Sequence, residues 1–164
     1  MKISGGFIRR TFFIILFIAN SLTADAQNIL RTIPINKDNV SIQFRLVDEE
    51  CKDNTTSYIK ILDGEEYYLH DEILLDENYI LSIQEVSDVA GRLFIIINFS
   101  EPGIEQFYKI TKSNIDKWMG ILIDGELVLT AIITEAINSD SVRISGFSKG
   151  EISDIVRTIP ATEK

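Results

Sequence analysis

Between Trp118 and Phe147 the chain places one short apolar run, then Asp124-Gly125, then a second apolar run, and finally Ser141-Val142-Arg143-Ile144-Ser145-Gly146-Phe147. A two-residue type I′ turn needs positive φ at both central positions, and Asp-Gly between strand-like runs meets that need. The segment therefore predicts an antiparallel hairpin. Asp124 is explained by this turn, where it tolerates left-handed backbone geometry, rather than by proton transfer.

The first residues carry a second signal. Lys2, Arg9 and Arg10 precede the apolar segment 11–19, which leads into Ala24-Asp25-Ala26. This is the layout of a cleaved secretory signal over residues 1–26, with cleavage before Gln27. The apolar core is about half the ~20 residues that a membrane-crossing helix needs. The polar stretch 20–27 cannot lengthen it, so an uncleaved membrane anchor is the weaker alternative. No other segment is apolar enough to span, and the mature chain is expected to have no membrane span.

Removing residues 1–26 takes away Lys2, Arg9, Arg10 and Asp25, which moves the formal net charge from −9 to −11. Residues 48–77 alone hold eleven Asp or Glu against Lys52 and Lys60. Nucleic acid is excluded as a partner, because a phosphate backbone demands clustered Lys and Arg. The simplest role for the acidic block is a solvated face; a cation site or basic-partner site is the alternative. Cys51 is the single cysteine, so no intrachain disulfide can form. Glu49, Glu50 and Asp53 beside it disfavour a thiolate.

Along the chain, residues 27–39 lack periodicity and contain Pro34, which predicts an arm or linker. The mature length suits one domain, predicted over 40–160. Ile42, Phe44 and Leu46 alternate with polar neighbours, as in a half-buried strand. Tyr58 to Leu62, Asp63-Gly64 and Glu65 to Leu69 form a second candidate hairpin. Tyr79, Leu81 and Ile83 give another alternating strand, with Val86 out of phase. The run Leu93-Phe94-Ile95-Ile96-Ile97-Asn98-Phe99 is apolar on both faces, as a central strand should be.

Ser100 is placed to cap a helix through its hydroxyl, with Pro102 in the first turn. Ile104, Phe107, Tyr108, Thr111, Ile115 and Trp118 then recur at helical spacing. That stripe reads as core packing; an aromatic ligand box from Phe107, Tyr108 and Trp118 is the alternative. Val142 to Ser145 predicts a last strand. Ser148-Lys149-Gly150-Glu151 has the form of a capping box, with a second helix from Lys149 to about Arg157. The predicted class is α+β: an antiparallel sheet with two helices packed on one face, in a ferredoxin-like arrangement.

No catalytic, cofactor-binding or metal site residues emerge. A lone His70 and a lone Cys51 cannot supply the usual zinc ligands, and His70-Asp71-Glu72 reads as a surface turn. There is no phosphate loop, dinucleotide fingerprint or nucleophile elbow. Acid pairs such as Asp76 and Glu77 arise readily in so acidic a chain, and glycosidase chemistry would require a defined separation across a cleft.

One resemblance organises these segments. Gly120-Ile121-Leu122-Ile123-Asp124-Gly125-Glu126-Leu127-Val128, then Glu135-Ala136-Ile137, then Ile144-Ser145-Gly146-Phe147 resemble the head subdomain of the first periplasmic domain of SecD. Phe44-Arg45, Tyr67-Tyr68-Leu69, Ile97-Asn98-Phe99-Ser100-Glu101, the stretch Thr111-Lys112-Ser113-Asn114-Ile115, and Val156-Arg157-Thr158-Ile159-Pro160 resemble further parts of it. Two places depart from the family pattern. Leu129-Thr130-Ala131 replace small residues and a proline, and Ala136 replaces a later proline.

The resemblance implies a non-enzymatic module outside the membrane that engages emerging preproteins. Without transmembrane helices, the chain is not expected to be a proton-driven motor itself. The leading expectation is an exported, periplasmic or secreted, non-catalytic module that binds extended polypeptide or a protein partner, translocase components among them. A sheet edge, from the first hairpin or the Leu127 to Ile133 strand, could add a peptide strand. The alternatives are a small exported hydrolase using acids of the 48–77 block, and a structural envelope-assembly component.

Overall fold

The computed structural model describes residues 28–38, 40–60, 64–144, 150, 152 and 159. Ten strands and one α-helix are seen among them. In chain order they are β1 (Asn28–Pro34), β2 (Ile42–Asp48), β3 (Thr55–Ile59), β4 (Glu66–His70), β5 (Leu75–Asp76), β6 (Ile80–Ser87), β7 (Leu93–Phe99), α1 (Glu101–Ser113), β8 (Trp118–Ile123), β9 (Glu126–Ile132) and β10 (Ser141–Ile144). A 3-10 turn, Glu77–Tyr79, precedes β6.

The strands form two antiparallel sheets rather than the single expected one. A four-stranded sheet runs β1-β6-β7-β10, and a six-stranded sheet runs β3-β4-β2-β8-β9 with β5 on β2. The class is α+β, and the ferredoxin-like single sheet is corrected. The reason is long-range pairing. β2 takes β8 as its neighbour, from Ile42↔Ile123 to Val47↔Trp118, while β6 and β7 pair in the other sheet. The sheets face each other through Ile83, Ile95, Ile97 and Ile144 on one side and Ile121, Ile123, Val128 and Leu129 on the other. A cavity of only about 20 Å³ lies among these side chains.

α1 closes this core. Phe107 stacks on Phe99 at 4.7 Å and meets Phe44 edge-on at 5.9 Å, touching one strand of each sheet. Gly103 lets the helix seat against the 3-10 turn, where an added Cβ would collide with the Tyr79 carbonyl oxygen. Thr111 is fully buried; its hydroxyl donates to the Phe107 carbonyl and accepts from the Ile137 N–H at 2.9 Å, which ties the β9–β10 connection to the helix. The expected cap is different in detail. Ser100 occupies the N-cap with Pro102 in the first turn, but its hydroxyl donates to the Tyr79 carbonyl and caps no helix N–H.

Further expectations are corrected by packing. Residues 28–34, expected within an arm, form β1, and Ile33 enters the core. In β6, Leu81 is exposed while Ile80, Ile83 and Val86 are buried, because a bulge between Ile80 and Ser82 shifts the phase. In β2 the alternation breaks after Phe44: Val47 is buried and Leu46 only half so, since Val47 pairs with Leu69 beneath the β3–β4 hairpin. α1 ends at Ser113, where the Asn114 side chain donates to the Ile110 carbonyl and Asp116 turns left-handed at φ 66°. Ile115 and Trp118 are therefore not helical, and Trp118 opens β8 instead.

Other readings agree with the structure. Asp124 and Gly125 both have positive φ between β8 and β9, and the Asp124 carboxylate accepts from the Ser41 N–H at 2.8 Å. β7 is an interior strand of its sheet. The second helix, expected from Lys149 to Arg157, and the signal at residues 1–26 lie outside the described residues, apart from helical Gly150 and buried Ile152. Among the described residues, no helix is long and apolar enough to cross a membrane.

Candidate functional site

The six-stranded sheet buries both of its faces, which a single-layer reading of the sequence misses. One face packs in the main core. On the other, Val47, Leu69, Leu122 and Leu127 form a second cluster, with Tyr58, Tyr67 and Trp118 against it. Gly120 makes room for it, because a Cβ there would lie 3.1 Å from Leu127 Cδ1 and from Val47 Cγ2. The β3–β4 hairpin, in register Tyr58↔Tyr67, folds over this cluster. The sheet curls enough to bring its two outer strands, β3 and β9, near one another. These are the two edges singled out in the sequence as places where a peptide strand could add.

A polar latch spans the gap between them. Lys60, at the end of β3, is buried, with its ammonium 3.4 Å from Thr130 Oγ1 and 3.3 Å from the Tyr67 hydroxyl, and 4.9 Å over the Tyr67 ring. Tyr67 in turn donates to the Glu65 carboxylate at 2.9 Å. Burial, reinforced by that carboxylate, pushes the Tyr67 phenol up, so it remains a neutral donor. Thr130, on β9, is itself buried. Its contact with Lys60, seventy positions away, has no local sequence signature.

Beside the curled sheet, where β2 and β4 end and β8 begins, lies a cleft of about 470 Å³ lined by Leu46, Val47, Asp48, Glu49, Lys52, His70, Asp116, Lys117 and Trp118. Its floor is apolar and aromatic; its rim is charged. Asp48 holds two partners, Lys52 Nζ at 2.8 Å and His70 Nε2 at 2.8 Å. The Lys52 bond, aided by His70, holds the Asp48 carboxyl below the usual range against a smaller desolvation cost. His70 is thus the last residue of a strand and half-buried, not part of a free surface turn. Asp116 projects from its left-handed turn, fixed by an N–H bond to the Ile133 carbonyl at 2.8 Å.

The structure separates the residues of the aromatic-box alternative. Phe107 lies in the main core, Tyr108 on the outer side of α1 under Lys112, and Trp118 at the cleft. Of the acid pair named in the sequence, Asp76 accepts from the Asn78 N–H and Glu77 from the Ile42 N–H. Cys51 is exposed. Among the described residues, no three His, Cys, Asp or Glu side chains gather as a metal site.

The fold and this site define a small antiparallel α+β module with one doubly buried, curled sheet. Its sequence over residues 52–159 matches the family model described as SecDF, P1 head subdomain, and the chain belongs to that family. Similar proteins include a protein translocase subunit SecD of Syntrophobacter fumaroxidans, 28% identical over 95 residues, covering 57% of this chain and 18% of that one. A protein translocase subunit SecDF of Thermus thermophilus is 32% identical over 66 residues, covering 40% of this chain and 9% of that one. The chain thus spans less than a fifth of the curated relatives it matches. A solved structure of SecDF, described as a membrane component that enhances protein export, superposes with a TM-score of 0.52 at 23% identity, over 75% of this chain and 65% of that chain. A crystal structure of SecDF in a super-membrane-facing form gives the same TM-score at 22% identity, over 75% of this chain and 20% of that chain.

Proposed function

We propose that this chain is an exported, non-catalytic module that binds extended polypeptide in the setting of protein translocation, working outside the cytoplasm after removal of residues 1–26. The observation that carries this reading is the match of residues 52–159 to the P1 head of a protein-export component. The physical means would be the open strands of the curled sheet. Among the described residues, β3 and β9 each pair on one side only, and a strand edge offers main-chain donors and acceptors to an extended chain whatever its sequence. In this reading the Ile and Phe core holds those edges in place.

The test is binding of one client protein in two states. A permanently unfolded, reduced and alkylated polypeptide is expected to bind the full chain, as read by anisotropy of a dye on the client, and the same polypeptide in its native fold is expected not to. Equal affinity for both states, or for neither, would overturn the proposal.

A further inference from the structure

We infer that the cleft at Trp118 receives a basic side chain, Lys or Arg, presented by an extended polypeptide; this deepens the polypeptide-binding reading and rests on it. The argument begins with the lining. Leu46, Val47 and Trp118 give an apolar and aromatic floor, and Glu49 and Asp116 stand at the rim. A long basic side chain has the matching division, an apolar stem with a charged head. The aromatic face of Trp118 adds a surface that attracts a cation. The volume, about 470 Å³, exceeds one side chain and leaves room for the main chain on either side of it.

Charge decides between a basic and an acidic occupant. Of the lysines at the rim, Lys52 is paired with Asp48 at 2.8 Å, while Lys117 donates to the neutral Asn114 side-chain oxygen at 3.0 Å and keeps its charge, set against Glu49 and Asp116 in the same lining. Asp116 is exposed and, among the described residues, has no cation within ion-pair distance. Glu50 and Asp53 follow the cleft on the loop after β2, and Asp71 and Glu72 follow His70, all of them exposed. They belong to the 48–77 segment with its eleven acids and two lysines. A cleft set in such a field concentrates cations and repels anions.

Trp118 is the only tryptophan of the chain, so its emission reports on the cleft directly. The experiment titrates the full chain with unstructured peptides that differ only in carrying Arg, Gln or Glu at the central positions. The Arg peptide is expected to change Trp118 emission saturably, with affinity falling at least fivefold between 50 mM and 300 mM salt, and the Glu peptide to leave it unchanged. Asp116→Asn is expected to weaken the Arg peptide about fivefold while keeping the fold, since Asn also accepts the left-handed turn. The inference is overturned by emission that ignores the Arg peptide, by equal response to Arg and Glu peptides, or by unchanged affinity in folded Asp116→Asn. If unfolded client binds in the anisotropy assay while emission stays still, the cleft assignment fails and the polypeptide-binding reading stands. An emission response specific to Arg with no client binding does the reverse.

Discussion

The two apolar clusters of this molecule are built on opposite faces of one sheet and differ in kind. The main core is made of Ile, Leu, Val, Met and Phe side chains contributed by both sheets and by α1. The outer cluster has Val47, Leu69, Leu122 and Leu127 at its centre and is bordered by Tyr58, Tyr67, Trp118, the Lys60 latch and the charged cleft. Size and polarity divide the labour. Stability resides where burial is complete and dry, because each fully buried large apolar side chain contributes about 1.5–3 kcal/mol. The partly exposed polar and charged groups lie around the smaller cluster.

The largest expected effect would come from breaking the main core. Phe107→Ala removes a ring that bridges both sheets, and urea unfolding should show a loss of about 3–5 kcal/mol. A loss below about 1 kcal/mol would mean that α1 is not the keystone of that core. Gly103→Ala drives a methyl group into the Tyr79 carbonyl, which is backbone and cannot swing aside. The expected cost is about 3 kcal/mol, near the upper end for overpacking, and thermal melts would detect it as a lower midpoint.

On the outer face, Gly120→Ala meets only the ends of the Leu127, Val47 and Leu69 side chains. They can shift by a few tenths of an ångström, so the cost should be about 1–2 kcal/mol, accompanied by a change in Trp118 emission from the neighbouring strand position. An effect as large as that of Gly103→Ala would erase the contrast between a rigid and a yielding cluster.

The smallest expected effect concerns the cleft rim. Because the Asp48 carboxyl is held below its unfolded value of about 3.9, the stability it contributes is present above that pH and disappears as pH falls through the depressed folded value. Solvent screening limits the contribution to about 0.5 kcal/mol. Asp48→Asn should therefore lower the urea midpoint slightly at pH 5 and match the unmodified chain at pH 2. A difference that grows on acidification would contradict the assignment.

Much of the strand content was legible because it is local. Asp124-Gly125 and the doubly apolar Leu93 to Phe99 run each carry their turn or their burial in adjacent residues; the hairpin expected from Tyr58 to Leu69 has its first strand at Thr55–Ile59 instead of Tyr58 to Leu62. Three misreadings share a different cause. The Ile42–Phe44–Leu46 alternation, the phase of β6 and the extension of the helix to Trp118 all assume that periodicity continues, whereas a covering hairpin, a bulge and the left-handed Asp116 interrupt it. The cleft was illegible for a related reason: Val47, His70 and Trp118 become neighbours only when β2 pairs with both β4 and β8.

By itself the sequence determined the acidic charge, the turns, the individual apolar runs and the resemblance to the SecD head, since composition and near-neighbour spacing carry all of these. Only the tertiary structure decided that the strands divide into two facing sheets, that β1 joins one of them, and that Lys60 reaches Thr130 across the curled edge. Strand partners are chosen by whole-surface burial across long loops, and closing such loops costs an entropy that depends weakly on their length. Local pattern therefore says that a strand will pair, and the collective packing of both faces says with which.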